Sequence, residues 1–389
     1  MNIAVIGIGY WGPNLVRNFN QMYDVNVSYL CDLNQESLTR MKKIYSFAKT
    51  TQDYREILKD PSVNAVAIAT PASSHYKIAK DALEAGKHVL LEKPMAESAK
   101  ECEDLIRIAE ENDLTLQIDH TYIYTGAVRK IKELLDNNEL GETLYFDSVR
   151  VNLGLFQHDV NVIWDLAPHD LSIMDYLLGN NAVAVSASGL SCFNSNLESL
   201  AYITIYFASG RIAHFHLNWL SPVKIRRILI GGSKKMLVFD DLEASEKIKV
   251  YDKGVSIQNG DVDGIYKTLV QYRTGDMWAP QIDQTEALKY ECRHFIDCIE
   301  TKSRPMTDGR MGLRVVKLLK AINTSILNDG RKVYLSSGGN NELSSNILVR
   351  NILSEDGSSV GYFREDSQME TVMVSKPAGP ELNGIRMDN

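Results

Sequence analysis

The first third of the chain alternates short apolar runs with amphipathic segments. Segments such as 71–86 and 97–112 carry apolar residues at helical spacing, and the first of them ends on Gly86. Five β-rich runs lie between such segments, at 3–6, 25–30, 65–69, 88–91 and 114–118. Several of them are apolar almost throughout, as expected of strands buried on both faces. Strands that alternate with helices predict a parallel sheet covered by helices.

The pattern changes after Gly141, where longer segments alternate apolar and polar positions. Alternation of this kind predicts an open, mostly antiparallel sheet. The segments are 143–153, 182–190, 200–207, 212–220, 225–230 and 247–251. One helix at 165–178, which ends at Gly179, interrupts them, and two helical segments at 285–301 and 311–328 follow. The fold class is therefore α/β, with two different sheets.

These changes predict two domains and a tail. We expect the first domain to span residues 1–122 and the second to span 123–335, with the last helices returning toward the first domain. From Ser336 the chain is rich in Ser, Gly and Asn, and only 347–350 has the pattern of a weak strand. We therefore expect 336–389 to be a C-terminal tail or arm without a catalytic role.

Composition and charge narrow the class of protein. The chain has 389 residues, 44% of them apolar and 24% charged, which suits two or three folded domains. Lys and Arg number 42 against 50 acidic residues, a net charge of −8 without a basic run, and this speaks against nucleic acid as a partner.

Cysteine spacing and hydropathy exclude further classes. Five cysteines without a Cys-x-x-Cys pair indicate neither a disulfide framework nor a structural zinc site, and we expect no metal. No apolar stretch reaches the ~20 residues of a transmembrane helix, and the chain opens on a strand pattern instead of a signal sequence. We therefore expect a cytoplasmic protein with no membrane partner.

The first strand runs directly into Gly7-Ile-Gly-Tyr-Trp-Gly12, which opens the next helix. Each glycine has a physical reason in this context, since Gly7 permits a tight turn, Gly9 lets the backbone approach a pyrophosphate, and Gly12 lets helix and strand pack closely. Asp32 ends the second strand, where a carboxylate accepts hydrogen bonds from an adenosine ribose. The sequence thus predicts a Rossmann domain that binds NAD, because Asp32 would repel the 2′-phosphate of NADP.

Two more strand ends are predicted to face the same crevice, because ligands bind beyond the carboxyl ends of parallel strands. Thr70-Pro71 follows one of these strands, and Glu92-Lys93-Pro94 follows another. His75 either contacts the cofactor or simply begins the next helix. The predicted cofactor contacts are Gly7, Gly9, Tyr10, Trp11, Gly12, Asp32, Thr70, Pro71, His75, Glu92 and Lys93.

These motifs, followed by Asp165-Leu-Ala-Pro-His169, resemble the glucose-fructose oxidoreductase, inositol dehydrogenase and MocA (Gfo/Idh/MocA) family over residues 1–330. The resemblance implies a Rossmann domain joined to an α/β domain that binds substrate, whose open sheet forms one wall of the active site and often an oligomer interface. It also implies that Lys93 is the family lysine, that His169 acts on the substrate hydroxyl, and that Asp165 is the acid of the same motif. In some family members the lysine is assigned the proton transfer. The sequence does not decide whether Lys93 or His169 transfers the proton here.

The spacing of Asp165 and His169 places both on one face of a helix. A base has to take the hydroxyl proton while hydride leaves the same carbon, and the unperturbed pKa of a histidine, ~6.5, suits that role. Lys93 would stabilise the developing alkoxide, and Asp165 would orient the histidine or contact a neighbouring hydroxyl. The alternative is that Asp165 caps the helix and His169 is a core histidine.

The segments 9–19 and 164–171 look most like the branch of the family that acts on nucleotide-linked sugars. Its members oxidise or reduce the C-3 position of the sugar in amino-sugar or deoxysugar biosynthesis. Polar residues in segments that would face the cleft are candidate contacts to such a substrate. They are Tyr122, Asn152 and Asn161 for the sugar, and Arg150 for the diphosphate.

Three alternatives stay open on the sequence alone. A dehydrogenase of a free polyol or hexose, such as inositol, uses the same chemistry without a diphosphate, and a 3-ketoreductase runs it in the opposite direction. A non-catalytic NAD sensor would need neither Lys93 nor His169, which speaks against it. As partners we expect a sugar or nucleotide-sugar substrate and further copies of this chain, in a dimer or tetramer, because the open apolar face of the second sheet should not stay exposed.

Overall fold

The computed structural model of the protein describes residues 1–154, 160–192, 197–259 and 268–335, with the backbone alone described at 255–259 and 268–271. The predicted tail at 336–389 and its weak strand lie outside these residues. Contacts within the chain group residues 1–335 together.

The first part of the chain builds six strands and the helices between them. The strands are β1 (Asn2–Ile6), β2 (Asn26–Cys31), β3 (Lys49–Thr51), β4 (Ala65–Ile68), β5 (His88–Glu92) and β6 (Leu116–Asp119). The helices are α1 (Gly12–Asn20), α2 (Gln35–Ile44), α3 (Tyr54–Lys59), α4 (Ala72–Glu84) and α5 (Ala99–Glu111), followed after β6 by a 3-10 turn (Thr121–Tyr124) and α6 (Gly126–Asp136).

The six strands pair in the spatial order β3-β2-β1-β4-β5-β6, and every pair is parallel. The structure therefore confirms the parallel sheet that the continuous apolar runs predict. The sequence does not predict β3, because two of its three residues are exposed and it carries no apolar run.

The second part of the chain builds nine strands and three longer helices. The strands are β7 (Thr143–Leu153), β8 (Ala182–Ser191), β9 (Glu198–Phe207), β10 (Ile212–Asn218), β11 (Leu220–Gly232), β12 (Met236–Asp240), β13 (Ile248–Asn259), β14 (Thr268–Trp278) and β15 (Val333–Tyr334). The helices are α7 (Val162–Leu178), α8 (Ala287–Thr301) and α9 (Gly309–Leu327). None of the helices that the structure describes is long and apolar enough to span a membrane.

These strands form one sheet in the order β14-β13-β12-β11-β7-β10-β9-β8-β15. Every pair is antiparallel except β10 with β7, which is parallel, so the prediction of a mostly antiparallel sheet is confirmed. The alternation of apolar and polar positions does not predict β12, β14 or β15. It also predicts only the first residues of β13.

Helices cover both faces of the first sheet. Apolar residues of α1, α2 and α8 pack on one face, and those of α3, α4 and α5 pack on the other, together with Val316 of α9. Helix α8 therefore lies on the first domain, where it contacts α1, although it follows the second domain in the chain. Helix α9 contacts both α5 and α7 and so joins the two parts.

The second sheet buries one face under helices. Alternate residues such as Ile203 and Ile205 of β9 enter a core with α6, α7 and α9. The opposite face carries Tyr202, which is half exposed and stacks on His216 with ring centroids 4.5 Å apart. Helix α7 lies between β7 and β8 in the chain and packs on the buried face of the second sheet. It also contacts the 3-10 turn after β6, and its Asp165 meets Lys93 after β5.

Candidate active site

The turn after β1 requires glycine at two positions. Gly7 has φ +88°, and a Cβ there would lie 2.5 Å from the carbonyl oxygen of Ala69. A Cβ on Gly12 would lie 1.9 Å from the carbonyl oxygen of Gly7. The loop is thus packed tightly between the end of β4 and the start of α1, as the glycine motif predicts.

Gly9 differs from the other two, because a Cβ there would meet no protein atom within 4 Å. Packing of the protein itself does not demand this glycine, whereas close approach of a pyrophosphate to the backbone does. Tyr10, beside it, is 94% exposed. Helix α1 begins at Gly12 with no acidic side chain in its first turn, so its N-terminal N–H groups suit an anion. These residues fit a dinucleotide.

Asp32 lies directly after β2, beside the glycine turn. One carboxylate oxygen accepts the N–H of Ile8 and the other accepts the N–H of Asn34, both at 2.8 Å. The two bonds fix the carboxylate at the end of the sheet, and each oxygen keeps a lone pair for a ribose hydroxyl. The described geometry therefore suits the predicted role of Asp32 in NAD binding.

We expect the protein to bind NAD at least tenfold more tightly than NADP, because the fixed Asp32 carboxylate repels a 2′-phosphate. The matched variant is Asp32→Asn, which keeps an acceptor oxygen for the Ile8 N–H but removes the charge. We expect this variant to show a smaller ratio between its affinities for NAD and NADP. Calorimetric titration of both proteins with both cofactors measures this. Equal affinities of the wild type for NAD and NADP would contradict the prediction.

Trp11 connects the glycine turn to the far strand of the sheet. Its indole Nε1–H donates to Oδ2 of Asp119 at 2.7 Å, and the hydroxyl of Thr121 donates to the other carboxylate oxygen. Asp119 is buried at the end of β6. The glycine motif predicts Trp11 as a cofactor contact, and the structure adds a tether for its side chain.

His75 lies in the first turn of α4, behind two predicted cofactor loops. Its ring nitrogens lie 2.8 Å from the carbonyl oxygens of Thr70 and Pro94, and burial lowers its pKa. Pro71 immediately precedes the helix, and the Thr70 hydroxyl accepts a hydrogen bond from Ser74. The structure thus gives His75 contacts that support the loops after β4 and β5, and its contact with the cofactor stays a prediction.

Lys93 is the group that links the two domains in the site. It directly follows β5, and its Nζ donates to the main-chain oxygen of Asp165 on α7 at 3.1 Å. The lysine of one domain and the Asp-x-x-x-His segment of the other therefore meet, as the resemblance implies. Burial and the carboxylate of Asp119 raise the pKa of the preceding Glu92 well above its ordinary value.

His169 lies one helical turn after Asp165 on α7. Burial, followed by the positive charges of Lys93 and Arg150, holds its pKa well below the ordinary value of a histidine. Its Nδ1 is buried and has no hydrogen-bond partner among the described residues. The ring is therefore neutral at physiological pH and able to accept a proton.

Tyr122 lies edge-on to the His169 ring, with centroids 4.9 Å apart. Its hydroxyl accepts hydrogen bonds from Arg226 at 2.7 Å and from Arg150 at 3.4 Å. Arg150 itself is buried and binds both carboxylate oxygens of Asp170, at 2.9 and 2.6 Å. The guanidinium of Arg150 is thus held in an internal ion pair with Asp170. Its positive charge acts on His169 and lowers the pKa of that ring.

The Asp165 carboxylate does not orient His169 in this structure. It accepts the indole N–H of Trp219 at 3.1 Å, and no hydrogen bond joins it to His169 among the described residues. Asn152 and the same indole both flank Gly154, where a Cβ would lie 2.9 Å from the indole and 3.3 Å from the Asn152 amide. Asn152 therefore lies close to the indole that binds Asp165, and its predicted sugar contact stays a proposal.

Asn161 has a structural role that its prediction as a sugar contact does not include. It is buried and caps α7, with its amide oxygen accepting the N–H of Trp164 at 3.1 Å. Its amide nitrogen donates to Glu198 at 2.7 Å. The cap of this helix is thus Asn161, and the alternative interpretation of Asp165 as the cap is wrong.

His120 lies in the site but is not among the contacts that the sequence predicts. Glu92 and Asp119 are register partners on β5 and β6, so Lys93 and His120, each one residue further, are neighbours. The His120 side chain is 1% exposed, and neither ring nitrogen has a partner in the described part of the chain. Burial and the Lys93 charge lower its pKa to about 3. Its position after a strand end, like that of Lys93, is the signal that could have identified it.

Two family models match the chain, and together they cover more than half of it. Residues 1–120 match the model described as oxidoreductase family, NAD-binding Rossmann fold. Residues 128–238 match the GFO/IDH/MocA C-terminal domain.

Named proteins resemble the chain over most of its length. It is 25% identical over 330 residues to UDP-N-acetylglucosamine 3-dehydrogenase of Acidithiobacillus ferrooxidans, covering 84% of this chain and 97% of that protein. It is 26% identical over 331 residues to scyllo-inositol 2-dehydrogenase (NAD(+)) of Bacillus subtilis, covering 80% and 91%. The crystal structure of GenD2 from gentamicin A biosynthesis, in complex with NAD, has the same fold, with a TM-score of 0.72 at 22% identity over 87% of this chain and 97% of that one.

Proposed function

Because this chain belongs to the Gfo/Idh/MocA oxidoreductase family, we propose that it is an NAD-dependent dehydrogenase of a nucleotide-linked sugar. It would oxidise the ring hydroxyl at C-3, in cytoplasmic amino-sugar or deoxysugar biosynthesis. One observation supports this proposal above all: Lys93 donates a hydrogen bond to Asp165 of α7, one helical turn before His169. This contact lies beside a glycine turn that suits a dinucleotide.

The residues of the site divide the chemistry between them. NAD, when bound, accepts hydride from the carbinol carbon. The neutral His169 takes the hydroxyl proton; its lowered pKa keeps the ring unprotonated, and the same shift makes it a weaker base than an ordinary histidine. Lys93 donates a hydrogen bond to the same oxygen and stabilises the negative charge that develops there. Tyr122, fixed by two arginines, supports the imidazole from its edge.

Two features support a nucleotide sugar as the substrate. One is the similarity to a UDP-N-acetylglucosamine 3-dehydrogenase over most of both chains. The other is Arg226, which is partly exposed next to Tyr122 and offers a guanidinium near the reacting groups. The second candidate is a dehydrogenase of a free polyol, favoured by the equal similarity to a scyllo-inositol 2-dehydrogenase. A 3-ketoreductase is the same enzyme run in reverse.

A substrate screen tests the proposal. Reduction of NAD is followed with UDP-, dTDP- and GDP-sugars in parallel with myo-inositol and glucose. We expect kcat/KM to be at least tenfold higher for one nucleotide sugar than for every free polyol or hexose. A kcat/KM for inositol or glucose equal to that of every nucleotide sugar would favour the second candidate, and no turnover of any hydroxyl substrate would contradict both.

The homo-oligomer stays a prediction within this proposal. The face of the second sheet that carries Tyr202 and His216 lies opposite α7 and α9, and its strands expose aromatic side chains there. A second copy of the chain would bury this face.

A further inference from the structure

A buried pair of carboxyl groups lies behind the dinucleotide-binding turn. Asp119, at the end of β6, is 2% exposed, and Glu291, on α8, is 0% exposed. Asp119 accepts hydrogen bonds from the Trp11 indole and the Thr121 hydroxyl. The side chain of Trp11 therefore depends on a carboxylate whose next neighbour is a second acid.

Glu291 faces Asp119 and the hydroxyl of Thr121, both within its hydrogen-bonding reach. The Thr121 hydroxyl donates to Asp119, and neither carboxyl oxygen of Glu291 accepts a hydrogen bond among the described residues. Burial, followed by the Asp119 charge, raises the pKa of Glu291 well above the ordinary value. Two buried acids in contact cannot both ionise without a cation, so one of them has to keep its proton. Asp119 already accepts two donated hydrogen bonds, which makes Glu291 the protonated partner.

No cation forms a hydrogen bond with this pair in the described part of the chain. The titratable groups beside the pair are Glu92 of β5, Tyr124 of the 3-10 turn and Cys292 of α8. Two cations act on these neighbours, and both have partners. Lys93 acts on Glu92 and donates to Asp165, and Arg17 acts on Cys292 and binds both carboxylate oxygens of Glu286 at 2.6 and 2.9 Å.

We propose that Glu291 is a positioning residue for the dinucleotide site. As a neutral acid it donates its proton in a hydrogen bond to Asp119, and this fixes the acceptor that holds the Trp11 indole. Trp11 lies between Gly9 and Gly12, so an ordered indole orders the turn before a dinucleotide arrives. The role concerns NAD binding and holds whichever sugar is the substrate.

A pair of substitutions separates the hydrogen bond from the charge. Glu291→Gln keeps an N–H donor toward Asp119, and we expect its NAD dissociation constant to stay within twofold of the wild type. Glu291→Met has similar length but no donor, and we expect NAD to bind about threefold to tenfold more weakly, the range of one lost hydrogen bond. Calorimetric titration with NAD measures both, and far-UV circular dichroism and thermal unfolding check that each variant is folded.

Trp11→Phe tests whether the effect passes through the indole. In that background, which removes the indole donor, Glu291→Met should no longer change the NAD dissociation constant. Equal affinities of the Gln and Met variants in the wild-type background would overturn the proposal, as would an undiminished effect of Glu291→Met in the Trp11→Phe background.

The pH dependence of unfolding gives a measurement that needs neither NAD nor the methionine variant. Folded Glu291 keeps a proton that the unfolded chain releases above its ordinary pKa of ~4.3. The wild-type unfolding constant should therefore rise with pH relative to that of Glu291→Gln, approaching tenfold per pH unit for one proton, until the folded group itself ionises. Parallel pH profiles for the two proteins between pH 5 and 8 would mean that Glu291 is ionised in the fold and would overturn the proposal.

Discussion

Replacing Lys93 with methionine is expected to lower kcat by roughly 10² to 10⁴ fold while NAD affinity stays within about twofold. Methionine fills similar space but has no charge and no donor. The site then loses the group that meets α7 at Asp165 and that would hold the reacting oxygen beside His169. The ribose and pyrophosphate contacts at Asp32 and Gly9 are unchanged by the substitution.

Steady-state turnover with the substrate found in the screen, and calorimetric titration with NAD, measure the two quantities separately. Lys87→Met is the matched control. Lys87 lies just before the amino end of β5, where its Nζ donates to the carbonyl oxygens of Asp60 and Val63 at 2.9 and 2.7 Å, far from the crevice. We expect that variant to lose stability but to keep its kcat. If Lys93→Met retained more than about a tenth of wild-type turnover, the lysine would have no part in the chemistry.

Local signals explain why so much of the dinucleotide site is predictable from the sequence. Gly12 is required by the carbonyl group of Gly7 in the same turn and Gly7 by its positive φ, and the acid after β2 follows at a spacing set by a single βαβ unit. Most of the parallel strands are predominantly apolar because helices cover both faces, and β3, which has no apolar run, is the strand that the pattern does not predict. Asp165 and His169 share a helix face because their spacing is one turn.

Contacts between distant segments are what the sequence could not show. The indole of Trp11 meets Asp119 across 108 positions, and that of Trp219 meets Asp165 across 54. Nothing in the local pattern around Asp165 indicates that its carboxylate is already engaged. Glu291 looks like one acid among many on a helix until α8 is seen to return to the first sheet and bury it.

The buried charge at Arg150 has the largest expected effect on stability. Arg150→Met should lower the free energy of unfolding by about 3–5 kcal/mol, because it leaves the carboxylate of Asp170 buried without its bidentate partner. Burial alone lowers the pKa of Arg150, but the Asp170 charge outweighs it and raises the pKa overall, as expected of a tightly held pair. Removing both charges in Arg150→Met with Asp170→Leu should restore most of the lost stability.

Denaturant unfolding of the single and double variants measures the coupling, and kinetics with the nucleotide sugar shows what the pair does for substrate. If the ion pair stabilises the fold, Arg150→Met loses stability, the double variant regains most of it, and the KM of the folded protein changes little. A diphosphate contact at Arg150 predicts the reverse, a raised KM in both variants with unfolding nearly unchanged. Arg226 is partly exposed and also binds Tyr122. We therefore expect a substitution of Arg226 to raise KM and a substitution of Arg150 to lower stability.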